Sequence, residues 1–129
     1  KIMIVTSEKR EKMKGFLLEP ILFDFDDSDI QPTSTQELDA AGRVLQNNPD
    51  SFIILAGFTD SHGSDEYNIA LSRERAKAAE QYLYDNFKID KDRMFLFWYG
   101  EKDPVAPNST EEGRQKNRRV NGIIAGVDE

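Results

Sequence analysis

Asp60 and Arg75 are the pair whose types and placement suggest chemistry, both within GFTDSHGSDEYNIALSRERA, residues 57 to 76. A planar guanidinium binds a carboxylate bidentately, and a carboxylate receives an ammonium. Two such charges held apart by a strand and a helix would receive a ligand bearing both an amine and an acid. The same pair also fits an ordinary ion pair, or an aspartate that caps its own turn, and spacing alone leaves these readings open.

Other constellations carry less. An apolar strand ending in Asp24 and Asp26 resembles the nucleophile strand of magnesium-dependent phosphatases, with Thr59 and Asp60 forced into supporting roles. A calcium loop starting at Asp24 fails because its sixth position is Asp29 rather than glycine. His62 is the only histidine and there is no cysteine, which removes histidine-cluster metal sites, disulfides and thiol nucleophiles. The segment contains neither a nucleophile elbow nor a P-loop. Arg114, Lys116, Arg118 and Arg119 read as a solvated basic patch able to lend one arginine to an anion.

These residues need elements to position them. Ile21, Phe23 and Phe25 alternate in a strand that runs into the polar DDSD. Ser34 and Glu37 form a capping box for a helix in which Leu38, Ala41 and Leu45 recur until Asn47, Asn48 and Pro49. Phe52 to Phe58 is a second strand, and Ser64 caps a helix running to about Asn86, with Asp65 and Glu66 in its dipole-favoured first turn. On a helical wheel Ile69, Ala76, Ala79, Leu83 and Phe87 face the sheet, while Arg73, Glu74, Lys77 and Gln81 face water. Arg75 sits at the border of the apolar stripe, from where it snorkels over the sheet edge toward Asp60. Arg93 to Gly100 and Arg119 to Ile124 are the remaining strands, separated by the loop EKDPVAPNSTEEGRQKN. The order βαβαββ predicts an α/β fold, an α+β sandwich with a small mixed sheet and two main helices on one face.

A chain of 129 residues with 38% hydrophobic content fits one domain, with no apolar run of membrane-spanning length. The net charge of −7 argues against nucleic acid, which needs a basic footprint. The chain starts at Lys1 without a signal-like segment, so it reads as a mature or excised fragment.

Three motifs in order, ILFDFDDSDIQP, GFTDSHGSDEYNIALSRERA and GEKDPVAPNSTEEGRQKNRRV, resemble the OmpA-like C-terminal domain family over about residues 19 to 124. The resemblance implies residues 19–129 as the domain, with 1–18 a linker or extra edge element. It implies non-covalent binding of peptidoglycan through the meso-diaminopimelate of the stem peptide, in the periplasm, anchoring an outer-membrane or envelope protein to the wall by a segment absent here. It implies no enzyme activity, no cofactor and no membrane insertion, with envelope proteins or a homodimer as further partners. Asp60 and Arg75 match the principal ligand contacts, and Phe25, Asp26 and Leu71 match pocket positions. Asn68, Arg118 and Arg119 match motif positions with a partly structural role. His62, a further ligand-binding candidate, stands near the ligand where the family often has a smaller polar residue, which implies a changed affinity or pH response, and Phe58 stands where the family often has histidine before the TD pair. The alternatives are the phosphatase using Asp24 and Asp26, and an envelope interaction domain with a degenerate ligand site.

Overall fold

The computed structural model of the chain describes residues 13–128. The elements are β1 (Met13–Leu17), β2 (Ile21–Leu22), α1 (Thr35–Asn47), β3 (Phe52–Phe58), α2 (Asp65–Phe87), β4 (Met94–Trp98), α3 (Glu111–Asn117) and β5 (Arg119–Asp128). They build one mixed sheet in the order β1-β5-β3-β4, with β2 also paired to β5. The β3–β4 pair is parallel and joined through α2; all other pairings are antiparallel.

Alternation explains the layers. Ile53 and Leu55 of β3, with Met94 and Ile124 on the neighbouring strands, are buried in one core with Leu38 and Leu45 of α1 and Ala79 and Leu83 of α2. The helices cross closely where Gly42 meets the ring of Phe87, and Tyr82 donates its hydroxyl to Asp39 Oδ1 at 2.6 Å. At its start α2 is capped as expected, Ser64 Oγ accepting the Tyr67 N–H at 3.1 Å. At its end Lys88 turns left-handed at φ 56°, donating its N–H back to Tyr84 O.

Several expectations are corrected. The strand read over Ile21 to Phe25 pairs only through Ile21–Leu22, then Phe23 bridges to Ile30. A turn with Asp26 at φ 56° breaks the alternation, so Phe23 is buried while Phe25 is 58% exposed. The Ser34–Glu37 capping box does not form, because a 3-10 turn over Pro32–Ser34 already gives Ser34 helical torsions. The Ser34 hydroxyl instead accepts the Leu22 N–H at 3.0 Å and the Glu37 carboxylate accepts the Glu19 N–H at 2.6 Å, so both tie α1 to the β2 segment. The buried stripe of α2 is rotated: Asn68, Ser72 and Arg75 join Ala76, Ala79 and Leu83 inside, while Ile69 is 39% exposed. The segment read as one loop contains α3, capped by Thr110, whose Oγ1 accepts the Gly113 N–H at 3.0 Å. β5, read as ending at Ile124, runs on to Asp128, and Met13–Leu17 pairs with it antiparallel. Of residues 1–18, read as a linker or extra edge element, residues 1–12 lie outside the described residues.

Candidate functional site

Three pieces of chain meet at one end of the sheet. The first is the turn after β2, closed by the Asp27 N–H on Asp24 O at 3.2 Å, which turns Phe25 and Asp26 outward. The second follows β3, where Asp60 Oδ1 accepts the His62 N–H at 3.0 Å and Gly63 at φ 89° turns the chain into α2. The third is the first three turns of α2, whose Asn68, Leu71 and Arg75 recur at helical spacing. Together they line a cleft of about 500 Å³, to which Gly63, Ser64 and Tyr67 also contribute.

Arg75 does not snorkel over an edge; it is fully buried at the base of this cleft. Its Nε donates to Asp27 O at 2.8 Å, Nη1 to Phe58 O at 3.0 Å and Nη2 to Asp24 O at 3.1 Å, and its cation lies 5.4 Å from the Phe23 ring centre. Three of its five N–H groups therefore pin the two loops together, and one hydrogen on each terminal nitrogen remains. Burial pulls its pKa down to about 10, opposed by the nearby Asp60 carboxylate and reinforced by Arg118, so it stays a cation at neutral pH. Beside it Asn68 is 1% exposed, and its Nδ2 has no hydrogen-bond partner. An unpartnered amide donor lining a cleft is an orphan that a ligand acceptor would satisfy.

The ion-pair partner of Asp60 is Arg118, with Nη1 to Oδ2 at 3.0 Å, both side chains buried. Burial on its own would raise the Asp60 pKa. The His62 N–H and the Arg118 guanidinium outweigh it and hold the carboxyl below its ordinary value of 3.8. Arg118 is not a cleft-lining residue: it stands behind Asp60, donating also to Phe23 O at 3.1 Å and to Glu111 Oε1 at 2.6 Å. Burial would lower its pKa, but these acidic partners outweigh that, and the net shift is upward. Arg119 is buried too, 3.9 Å from the Phe58 ring centre and donating to Asp103 O at 2.9 Å, so these two arginines are not a solvated patch.

Thus Phe25, Asp26, Asp60, His62, Asn68, Leu71 and Arg75 share one cleft, with Arg118 supporting it from behind. Sequence reasoning missed Gly63, Ser64 and Tyr67 as lining residues, although reading Ser64 as the helix cap already placed that turn beside Asp60. It missed Glu111 because α3 was read as loop. The cleft presents the carboxylates of Asp60 and Asp26 and, from Arg75 and the Asn68 Nδ2, unsatisfied hydrogen-bond donors, which suits a group carrying both a cation and an acceptor-only anion. Phosphatase chemistry is not favoured: Asp24 Oδ1 is engaged by Gln31 Nε2 at 2.7 Å, and among the described residues no three His, Cys, Asp or Glu side chains are grouped to hold a metal.

Comparison with known proteins agrees with this architecture. Outer membrane porin F of Pseudomonas aeruginosa is 37% identical over 104 residues, covering 81% of this chain and 30% of the porin. The peptidoglycan-associated lipoprotein of Pseudomonas putida is 38% identical over 98 residues, covering 76% of this chain and 58% of the lipoprotein. The chain therefore spans between 30% and 58% of the length of these relatives. The crystal structure of the peptidoglycan-associated lipoprotein from Burkholderia pseudomallei superposes with a TM-score of 0.76 at 30% identity, covering 81% of this chain and 88% of that one. The C-terminal domain of Helicobacter pylori MotB shares the fold, with a TM-score of 0.73 at 24% identity and coverage of 83% and 84%. The OmpA family model matches residues 22–118, from β2 through the cleft to Arg118, and the chain belongs to the OmpA family.

Proposed function

We propose that the domain binds peptidoglycan non-covalently, taking the side-chain end of meso-diaminopimelate into the cleft. The observation that carries this reading is the charge layout: a buried carboxylate, Asp60, shares a small cleft with the buried donors of Arg75 and Asn68. Arg75 and Asn68 receive the diaminopimelate carboxylate, Asp60 takes the ammonium, and Phe25, Asp26 and Leu71 wall the cleft. Arg118 holds Asp60 ionised and in place. No bond of the ligand is made or broken. The likeness to peptidoglycan-associated lipoproteins supports the reading, as does the likeness to a protein described as peptidoglycan-binding, ArfA of Mycobacterium tuberculosis, 35% identical over 105 residues. In this reading the domain works in the periplasm and tethers the envelope protein that carries it to the wall. Among the described residues no helix is long and apolar enough to cross a membrane.

The test is calorimetric titration with two stem peptides, one ending in meso-diaminopimelate and one in lysine, which keeps the ammonium and lacks the carboxylate. A charge-assisted hydrogen bond contributes about 1.5–3 kcal/mol, so the lysine peptide should bind about ten- to a hundred-fold more weakly. Equal binding of the two, or binding of neither, overturns the proposal.

A further inference from the structure

His62 stands at the rim of the cleft, more than half exposed, with Nδ1 3.5 Å from Asp60 Oδ1. Its ring meets the Phe25 ring edge to face, centres 5.3 Å apart at 82°, so two loops hold it over the Asp60 side of the cleft. Asp60 Oδ2 is committed to Arg118, and Oδ1 accepts only the His62 backbone N–H, so Oδ1 is the oxygen with a lone pair to spare for a ligand. The free acceptor and the imidazole nitrogen thus face one small volume. An ammonium placed there finds two acceptors when the imidazole is neutral with its Nδ1 lone pair exposed. A protonated imidazole puts a second cation against the same oxygen and repels the ligand.

We infer that His62 is a further ligand-binding residue that accepts the ligand's ammonium only in its neutral form, and thereby makes wall binding weaken with acid. The inference rests on the reading of the cleft as an ammonium and carboxylate receptor. The charged groups near it are Asp26 on the turn after β2, Asp60 on its own loop, Arg75 on α2 at the cleft base, Arg118 behind Asp60, and the acidic pair of Asp65 in the first turn of α2 with Glu101 after β4, the latter within electrostatic reach of Asp60. Histidine is the side chain whose charge ordinarily changes between pH 5 and 8. Asp60 is held below its ordinary 3.8, so its own protonation lies under that range. A unit charge close to the bound ammonium at a protein surface is worth roughly a five- to thirty-fold change in affinity.

The experiment uses the whole chain and the N-acetylated stem tripeptide ending in meso-diaminopimelate, whose own charges do not change between pH 5.5 and 8. Wild-type affinity should fall at least about five-fold from pH 8 to pH 5.5, and His62→Thr should bind with no such slope, whatever its absolute affinity. Because His62 is the only histidine, its ring C2–H proton resonance reports its titration directly. Linkage is reciprocal, so saturating peptide should move that titration to lower pH. A slope that persists in His62→Thr, a flat wild-type profile, or a resonance whose titration ignores the peptide overturns the inference. Peptide binding at pH 8 with any of these outcomes leaves the diaminopimelate reading intact, whereas no binding at pH 8 removes both.

Discussion

Replacing Arg75 by lysine keeps the charge and removes the fork. In the native fold Nε, Nη1 and Nη2 each hold a different backbone carbonyl, those of Asp27, Phe58 and Asp24, at 2.8, 3.0 and 3.1 Å. A single ammonium on a shorter stem reaches one of them, leaving two carbonyls of a buried junction without their charged donor. At about 1.5–3 kcal/mol for each such bond, the loss is about 3–6 kcal/mol. Domains of this class have about 5–15 kcal/mol in total, so the variant should be folded but badly weakened. For a chain of this size the melting temperature should drop by about 10–25 °C, read by far-ultraviolet circular dichroism and checked by urea unfolding at 25 °C. A drop of under about 3 °C would refute the reasoning, since it would mean that the two loops find other donors. The same arithmetic explains why the ligand test varies the peptide and leaves Arg75 alone: its loss removes the proposed ligand contact and the junction that shapes the cleft together.

Three further outcomes are expected. Asp60→Asn should flatten the pH dependence of stability below about pH 4: the folded-state pKa of Asp60 is depressed, so its contribution is present above the ordinary value of 3.8 and is lost as pH falls through the lower folded value, which acid titration of both proteins will show. Ser64→Ala removes the oxygen that accepts the Tyr67 N–H and should cost about 1 kcal/mol in urea unfolding, with faster hydrogen exchange confined to the first turn of α2. Gly57→Ala points a methyl at the Ser72 backbone carbonyl where β3 meets α2, and should destabilise by about 1–3 kcal/mol or more, against near-neutrality if the helix simply shifts away.

The elements that were legible in the sequence are those whose pattern is local. Phe52–Phe58 was read to the residue because a continuous apolar run carries its own bounds, and Ser64 was read as a cap because serine before two acids is a helix start. Asp60 and Arg75 were singled out by type and spacing, and both line the cleft. What escaped is what only tertiary partners decide. Ser34 has a capping partner three residues on and spends its hydroxyl on β2 instead. Arg75 could not be read as buried, since nothing local says that three carbonyls from two distant loops will converge on it. Ile69 was assigned to the core by hydrophobicity, yet the inward azimuth is taken by Asn68, Ser72 and Arg75, polar residues whose partners lie elsewhere in the chain. α3, seven residues of mostly polar sequence, has no apolar stripe to announce it.

The position of β5 has a consequence for how the domain comes into being. Among the described residues it is the last strand in sequence, yet it lies inside the sheet, with β1 and β2 on one side and β3 on the other. Arg118, one residue ahead of it, closes contacts to Phe23 and Asp60 that span 95 and 58 positions of sequence. Contacts so far apart form late, because the chain between them must first be ordered. A polypeptide emerging N-terminus first therefore carries Asp60 and Arg75 well before it has the strand and the arginine that set them in place. The cleft is therefore completed only when β5 and Arg118 have joined the sheet, so its geometry depends on the part of the domain that is made after it.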